Sequence, residues 1–194
     1  VAFLGLAPAG VEAYQNPKYE IEARIDTVKH TINAKQKVTF TNNSDKPADA
    51  LYFHIYPHRK YTQKEKDFIL RYAAYFKVNP FPDGFQSGDL ILNVVSGQGK
   101  GLTHSMEGED QTILRVDLEG PLEPGESIEI DLDYQVVIPH SYGRFGWHKN
   151  IISLLRWYPM LSVLDNEGWH NYPFYPYHQP YFSEAGDYSV KLTL

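Results

Sequence analysis

The chain has 194 residues, 18 Lys and Arg against 24 Asp and Glu for a formal charge of −6, and no cysteine. That length suits one domain. The missing cysteines exclude a disulfide scaffold, a thiolate nucleophile and a Cys-ligated zinc or iron–sulfur centre, and the acidic balance argues against a nucleic-acid partner. Aromatic residues make up 14% of the chain and 15 of them are Tyr, which suits a β-rich domain or an aromatic-lined binding surface.

Residues Val1 to Ala13 hold one charge, Glu12, and end in small residues. They read either as a remnant of a secretory signal or membrane anchor, with Val11 and Ala13 at small-residue cleavage positions, or as an N-terminal arm reaching to residue 17. No other stretch approaches the ~20 apolar residues of a membrane span. From Tyr19 the period is two: Tyr19, Ile21, Ala23 and Ile25 alternate with Glu20, Glu22, Arg24 and Asp26, the pattern of a half-buried strand. Val38 and Phe40 continue it, and Asn42 to Pro47 supplies turn chemistry. Leu51, Phe53 and Ile55 then face one way and Tyr52, His54 and Tyr56 the other, with Pro57 expected to end the run.

One helix is predicted, from Gln63 to about Lys77. Thr62 as N-cap with Glu65 three residues on forms a capping box, in which each side chain accepts from the other residue's backbone N–H. Phe68, Ile69, Tyr72, Tyr75 and Phe76 make an apolar stripe. Strand signals resume at Leu90–Val95, Thr112–Leu118 and Ser127–Ile138, with further strands expected at Ile151–Tyr158 and Tyr188–Leu194. Short strands divided by turn clusters predict an all-β fold, a two-sheet antiparallel sandwich with one short inserted helix, over residues 18–194. The alternation at Asp187–Leu194 is still running at the last residue, which reads as a boundary cut through a longer protein.

Of the eight histidines, His54 and His58 have i, i+4 spacing, but Pro57 and the strand-like Leu51–Tyr56 deny them a common helical face. HExxH and GxSxG are both absent, so neither a helix-borne zinc site nor a nucleophile elbow is encoded here. Gly97-Gln98-Gly99-Lys100-Gly101 lacks the spacing and the following helix of a phosphate loop and reads as a hairpin connection. Glu129, Asp131 and Asp133 read as a solvated sheet face rather than a calcium site. The segment Trp169–Phe182 is different, with seven aromatic residues and three prolines in fourteen positions. So much ring surface must pack against something: a ligand, the end of the sandwich, or another domain.

Lys18–Asp26, Val38–Ser44, Leu51–Pro57, Arg156-Trp157-Tyr158-Pro159 and Tyr181–Thr193, in that order, resemble the opening of zinc metallopeptidases of the membrane alanyl aminopeptidase type, the gluzincin aminopeptidases. The resemblance runs from about Lys18 to the end of the chain; each block is weak alone and the ordered set is fairly specific. It implies a saddle-like N-terminal β-domain that packs on a thermolysin-like catalytic domain. That domain, which would follow Leu194, carries HExxH, the third zinc ligand and the peptide-anchoring GxMEN segment. The resemblance thus implies no cofactor in this chain, zinc in the full-length protein, and as partners its own C-terminal catalytic domain and a peptide substrate. It also implies an extracytoplasmic or membrane-associated setting, with any membrane anchoring outside these residues.

Two features depart from the family. Asn150–Arg156 contains no Gln where members place one near the substrate amine, and Met160 with Leu161–Tyr172 replaces a PCxDxP stretch. The resemblance is therefore to a divergent branch, and no amine-binding residue is assigned. By position, Trp157, Tyr158, Trp169, His170, Tyr177, His178 and Tyr181 are the candidates for a cleft or domain-docking surface; no residue is a candidate catalytic group or metal ligand. Two other readings fit the residues: a free-standing sandwich that binds carbohydrate or peptide through the aromatic loop 169–182, and an adhesive surface domain.

Overall fold

The computed structural model describes residues 14–174 and 182–194. Among these residues fourteen strands and one α-helix appear in chain order: β1 (Lys18–Asp26), β2 (Thr31–Thr41), β3 (Ala48–His54), α1 (Gln63–Tyr75), β4 (Asp89–Gly97), β5 (Lys100–Gly101), β6 (His104–Glu107), β7 (Ile113–Leu122), β8 (Ser127–Val137), β9 (Phe145–His148), β10 (Ile151–Leu154), β11 (Met160–Leu161), β12 (Leu164–Asp165), β13 (Gly168–Trp169) and β14 (Asp187–Thr193). A six-stranded sheet runs β14-β1-β2-β8-β4-β5 and a four-stranded sheet runs β11-β3-β7-β6, with β9–β10 and β12–β13 as separate two-stranded ribbons. The all-β sandwich read from the alternations is the fold observed.

Period-two patterning explains the layers. Tyr19, Ile21 and Ala23 of β1, Ile32, Ala34 and Val38 of β2, and Ile130, Leu132, Tyr134 and Val136 of β8 point inward and share one core with Leu51 and Phe53 of β3 and Leu114 and Val116 of β7. The opposite face of the large sheet is wet. There Lys37 Nζ lies 2.8 Å from Glu129 Oε2 and 3.9 Å from Asp131 Oδ1, so the acidic strand face is occupied by its neighbour's lysine. Gly97–Gly101 forms the β4–β5 hairpin, with Ser96 opposite Gly101 and Gly97 opposite Lys100. The Asn42–Pro47 turn is anchored from inside. Asn42 is fully buried, donates through Nδ2 to the Lys46 and Leu122 carbonyls at 2.8 Å each, and accepts from Ser44 through Oδ1.

The structure departs from the sequence expectations at four places. The large sheet is not wholly antiparallel: β14 pairs parallel to β1, because alternation fixes a strand's two faces and not its direction, and the long connection after β13 leaves room for a crossover. The strand after residue 48 ends at His54, and Tyr56–His58 forms a 3-10 turn with Pro57 at its start, a position where the missing proline N–H costs nothing. The expected strand Ile151–Tyr158 stops at Leu154, since Arg156 adopts φ 54° and turns Trp157 into the core. Helix α1 has its capping box, with Glu65 N donating to Thr62 Oγ1 and Thr62 N donating to Glu65 Oε2 at 2.7 Å. However, only Ile69 and Ala73 are buried on it. The expected apolar stripe is mostly a surface one, in which Tyr72 and Phe76 pack ring on ring at 5.1 Å.

Candidate functional site

The six-stranded sheet ends at β14, and the second layer does not reach that far. The register sets Tyr188 beside Tyr19, Val190 beside Ile21 and Leu192 beside Ala23, so all six side chains share the sheet's inner face. The β1 members are buried, whereas Tyr188, Val190 and Leu192 are 48%, 50% and 53% exposed. An apolar row that should belong to a core thus stands open at the sheet edge, with the outer hydrogen-bonding edge of β14 beside it.

Aromatic rings fix the upper end of this row. Tyr188 stacks on Tyr19 with centroids 4.6 Å apart and planes 4° from parallel, and Tyr158 meets both edge-on at 6.0 and 6.1 Å. Tyr19 Oη accepts from the Leu161 backbone N–H at 3.2 Å, and Tyr158 Oη donates to Tyr188 Oη at 3.2 Å. Burial, and then the neighbouring Tyr188 hydroxyl, push the Tyr19 phenol well above its ordinary value. Tyr158 moves the same way through burial and its bond to Tyr188. Both phenols therefore stay neutral.

The structure separates the other candidates read from the sequence. Trp157 is 7% exposed and lies in the domain's own core against Tyr134, so it presents no docking surface: the Arg156 turn reverses the chain and swings the indole inward. Trp169 is half-buried between Phe40 and Tyr52, at 5.6 and 5.4 Å. His170 Nε2 donates to Asp165 Oδ2 at 2.7 Å, and its Nδ1 shares a hydrogen bond with Tyr172 Oη at 3.0 Å. Tyr177, His178 and Tyr181 lie outside the described residues.

His170, Tyr172, Phe174 and Phe182 line a broad cleft of about 1100 Å³ with His54 and Arg59. Arg59 is buried there between the rings of Tyr61 and Phe174, 4.6 Å from each centroid, and its Nη2 donates to Glu65. Burial, and then Arg156, push the His54 imidazole down to about 4. His58, by contrast, faces away and holds Asp89 Oδ1 through Nδ1 at 2.6 Å. The two histidines with i, i+4 spacing therefore serve different neighbours. Among the described residues no group of three or more His, Asp or Glu is placed to hold a metal ion, and no helix is long and apolar enough to cross a membrane.

The sequence does not mark Tyr188, Val190 and Leu192 as a surface. Their alternation signals a strand, but only the pairing with β1 shows that their apolar face lies beyond the covering layer.

No protein-family model matches the chain and no curated protein matches it. Among solved structures, it is similar to an M1 zinc metallopeptidase from Deinococcus radiodurans at 11% identity and TM-score 0.41, over 64% of this chain and 21% of that one. A two-domain M1 zinc metallopeptidase bound to L-arginine is similar at 12% identity and TM-score 0.43, over 77% of this chain and 26% of that one. The chain thus spans about a fifth to a quarter of the length of those proteins.

Proposed function

We propose that this chain is the non-catalytic N-terminal β-domain of a zinc metallopeptidase of the aminopeptidase type, and that it packs on a following catalytic domain and helps shape its cleft. The observation that carries the reading is the uncovered inner-face row Tyr188, Val190 and Leu192 on β14. A sheet face of that kind is stable in water only at a cost, and a second domain seated on it would remove the row from solvent. The ordered sequence blocks add support, because three distant ones meet at this edge: Lys18–Asp26 supplies Tyr19, Tyr181–Thr193 supplies Tyr188, and Arg156–Pro159 supplies Tyr158 against both.

In this reading the zinc and its ligands belong to the following domain, where a zinc-bound water would attack the first peptide bond of the substrate. The domain described here supplies the β14 face and the Tyr19–Tyr158–Tyr188 cluster as a rigid seat. Reading the coding sequence past Leu194 tests this first. An HExxH helix with a third zinc ligand is expected in the next domain, and its absence there ends the peptidase reading.

A further inference from the structure

Helix α1 ends in a group of exposed apolar side chains. On its inner side only Ile69 and Ala73 are buried. Toward and just past its C-terminus Leu70, Tyr75, Phe76 and Val78 are all exposed, Tyr75 by 82% and Phe76 by 55%. Tyr75 and Phe76 meet edge-on at 5.1 Å, so the two rings support each other. A single exposed apolar residue is ordinary, but four within nine residues at one helix end form an apolar tip. None of the four lines the broad cleft beside His170.

The charge around this tip runs against that of the chain. Residues 59–78 hold six of the 18 bases and two of the 24 acids, a local +4 in a chain of −6. Between Asp67 and Asp83 the sequence has no acid, while Arg71 and Lys77 fall among the exposed apolar residues. The acids that border the tip are engaged. Glu65 caps the helix and accepts from Arg59, Asp67 Oδ1 accepts from Gln63 Nε2 at 2.9 Å, and Asp83 Oδ2 lies 2.7 Å from His140 Nδ1. Arg71 Nε donates to the Asp67 backbone carbonyl at 3.4 Å. Lys64, Arg71 and Lys77 form no ion pair among the described residues.

We infer that the C-terminal end of α1 seats the domain on an anionic lipid surface, with Leu70, Tyr75 and Phe76 among the headgroups and Lys64, Arg71 and Lys77 on lipid phosphates and carboxylates. Aromatic rings settle at headgroup level, and long basic side chains reach anionic groups while their stems lie along apolar surface. At 82% exposure Tyr75 projects from the domain. A fluid headgroup layer shapes itself around such a projection, whereas a folded partner would have to present a matching pocket. The acidic excess of the rest of the chain turns this end, and not another, toward a negative surface. The inference uses α1 and neither β14 nor a metal, so it is independent of the metallopeptidase reading.

The test is co-sedimentation of the 194-residue chain with sucrose-loaded vesicles, of phosphatidylcholine alone and of phosphatidylcholine with about 30% phosphatidylserine. Affinity for the mixed vesicles is expected to be at least about tenfold higher, and to fall as salt is raised. Arg71, Tyr75 and Lys77 are exposed, so their substitution should leave the melting temperature near that of the wild type. Arg71→Gln with Lys77→Gln should weaken mixed-vesicle binding about tenfold, and Tyr75→Ser about fivefold. Val190→Ser with Leu192→Ser, on β14, should bind as the wild type does. Equal affinity for the two vesicles, no binding of mixed vesicles by about 5 mM lipid, or full binding by the α1 variants would each overturn the inference.

Discussion

Tyr188 lies flat on Tyr19, 4.6 Å between centroids and 4° between planes, and this stack marks where the domain's core ends and its open edge begins. Tyr19 is buried and Tyr188 is half-exposed, although they are neighbours on one sheet face. The isolated chain should therefore associate with itself through β14. Sedimentation velocity is expected to show a concentration-dependent dimer that Val190→Glu with Leu192→Glu abolishes. A monomer at all concentrations would mean the row is not adhesive.

The same face separates two kinds of substitution. Val190→Ser, at an exposed site, should change stability by less than ~1 kcal/mol. Ile21→Ala, one strand inward and buried, should cost ~2–4 kcal/mol. Urea denaturation of the two variants checks this, and similar costs would show that β14 is packed in solution.

Gln36 ties the layers together from within. Its Nε2 donates to the Pro159 carbonyl at 2.7 Å, and its Oε1 accepts from Tyr134 Oη at 3.0 Å. Gln36→Leu strands both partners in the core and is expected to cost ~1–3 kcal/mol. Adding Tyr134→Phe removes one stranded hydroxyl and should recover part of the loss in a double-mutant cycle. Strict additivity of the two substitutions would contradict the shared network.

His54 gives the domain a pH signature. Its folded value is pushed down to about 4 by burial and then by Arg156, while an unfolded imidazole titrates at ~6.5. Between these values the unfolded chain binds more protons, so stability is full above ~6.5 and falls as the pH drops toward 4, at no more than ~1.4 kcal/mol per pH unit. His54→Phe should flatten the denaturation profile in that window, and an unchanged slope would assign it to other groups.

Which parts of the fold can be read from the sequence depends on which forces are local. Alternation at Tyr19–Asp26 and Ser127–Ile138 exposes the layers because one side of each strand is wet, and Thr62 with Glu65 exposes a helix start because capping acts within four residues. The parallel pairing of β14 depends on a crossover, and the inward turn of Trp157 depends on the backbone of Arg156, so neither leaves a periodic trace. Aromatic density in Trp169–Phe182 draws attention to that loop as a docking surface. The open row uses Val190 and Leu192, ordinary strand residues whose exposure is set by how far the second sheet extends.

The decisive question is whether the reading frame continues past Leu194 into a zinc peptidase domain that sits on β14. Hydrolysis of L-amino-acid p-nitroanilides by the longer protein, expressed through its next domain and assayed with and without a zinc chelator, answers it. Chelator-sensitive hydrolysis is expected, absent from the 194-residue chain alone and lost when Val190→Glu with Leu192→Glu disrupts the β14 seat. A longer protein that releases no N-terminal residue with zinc present would overturn the metallopeptidase reading.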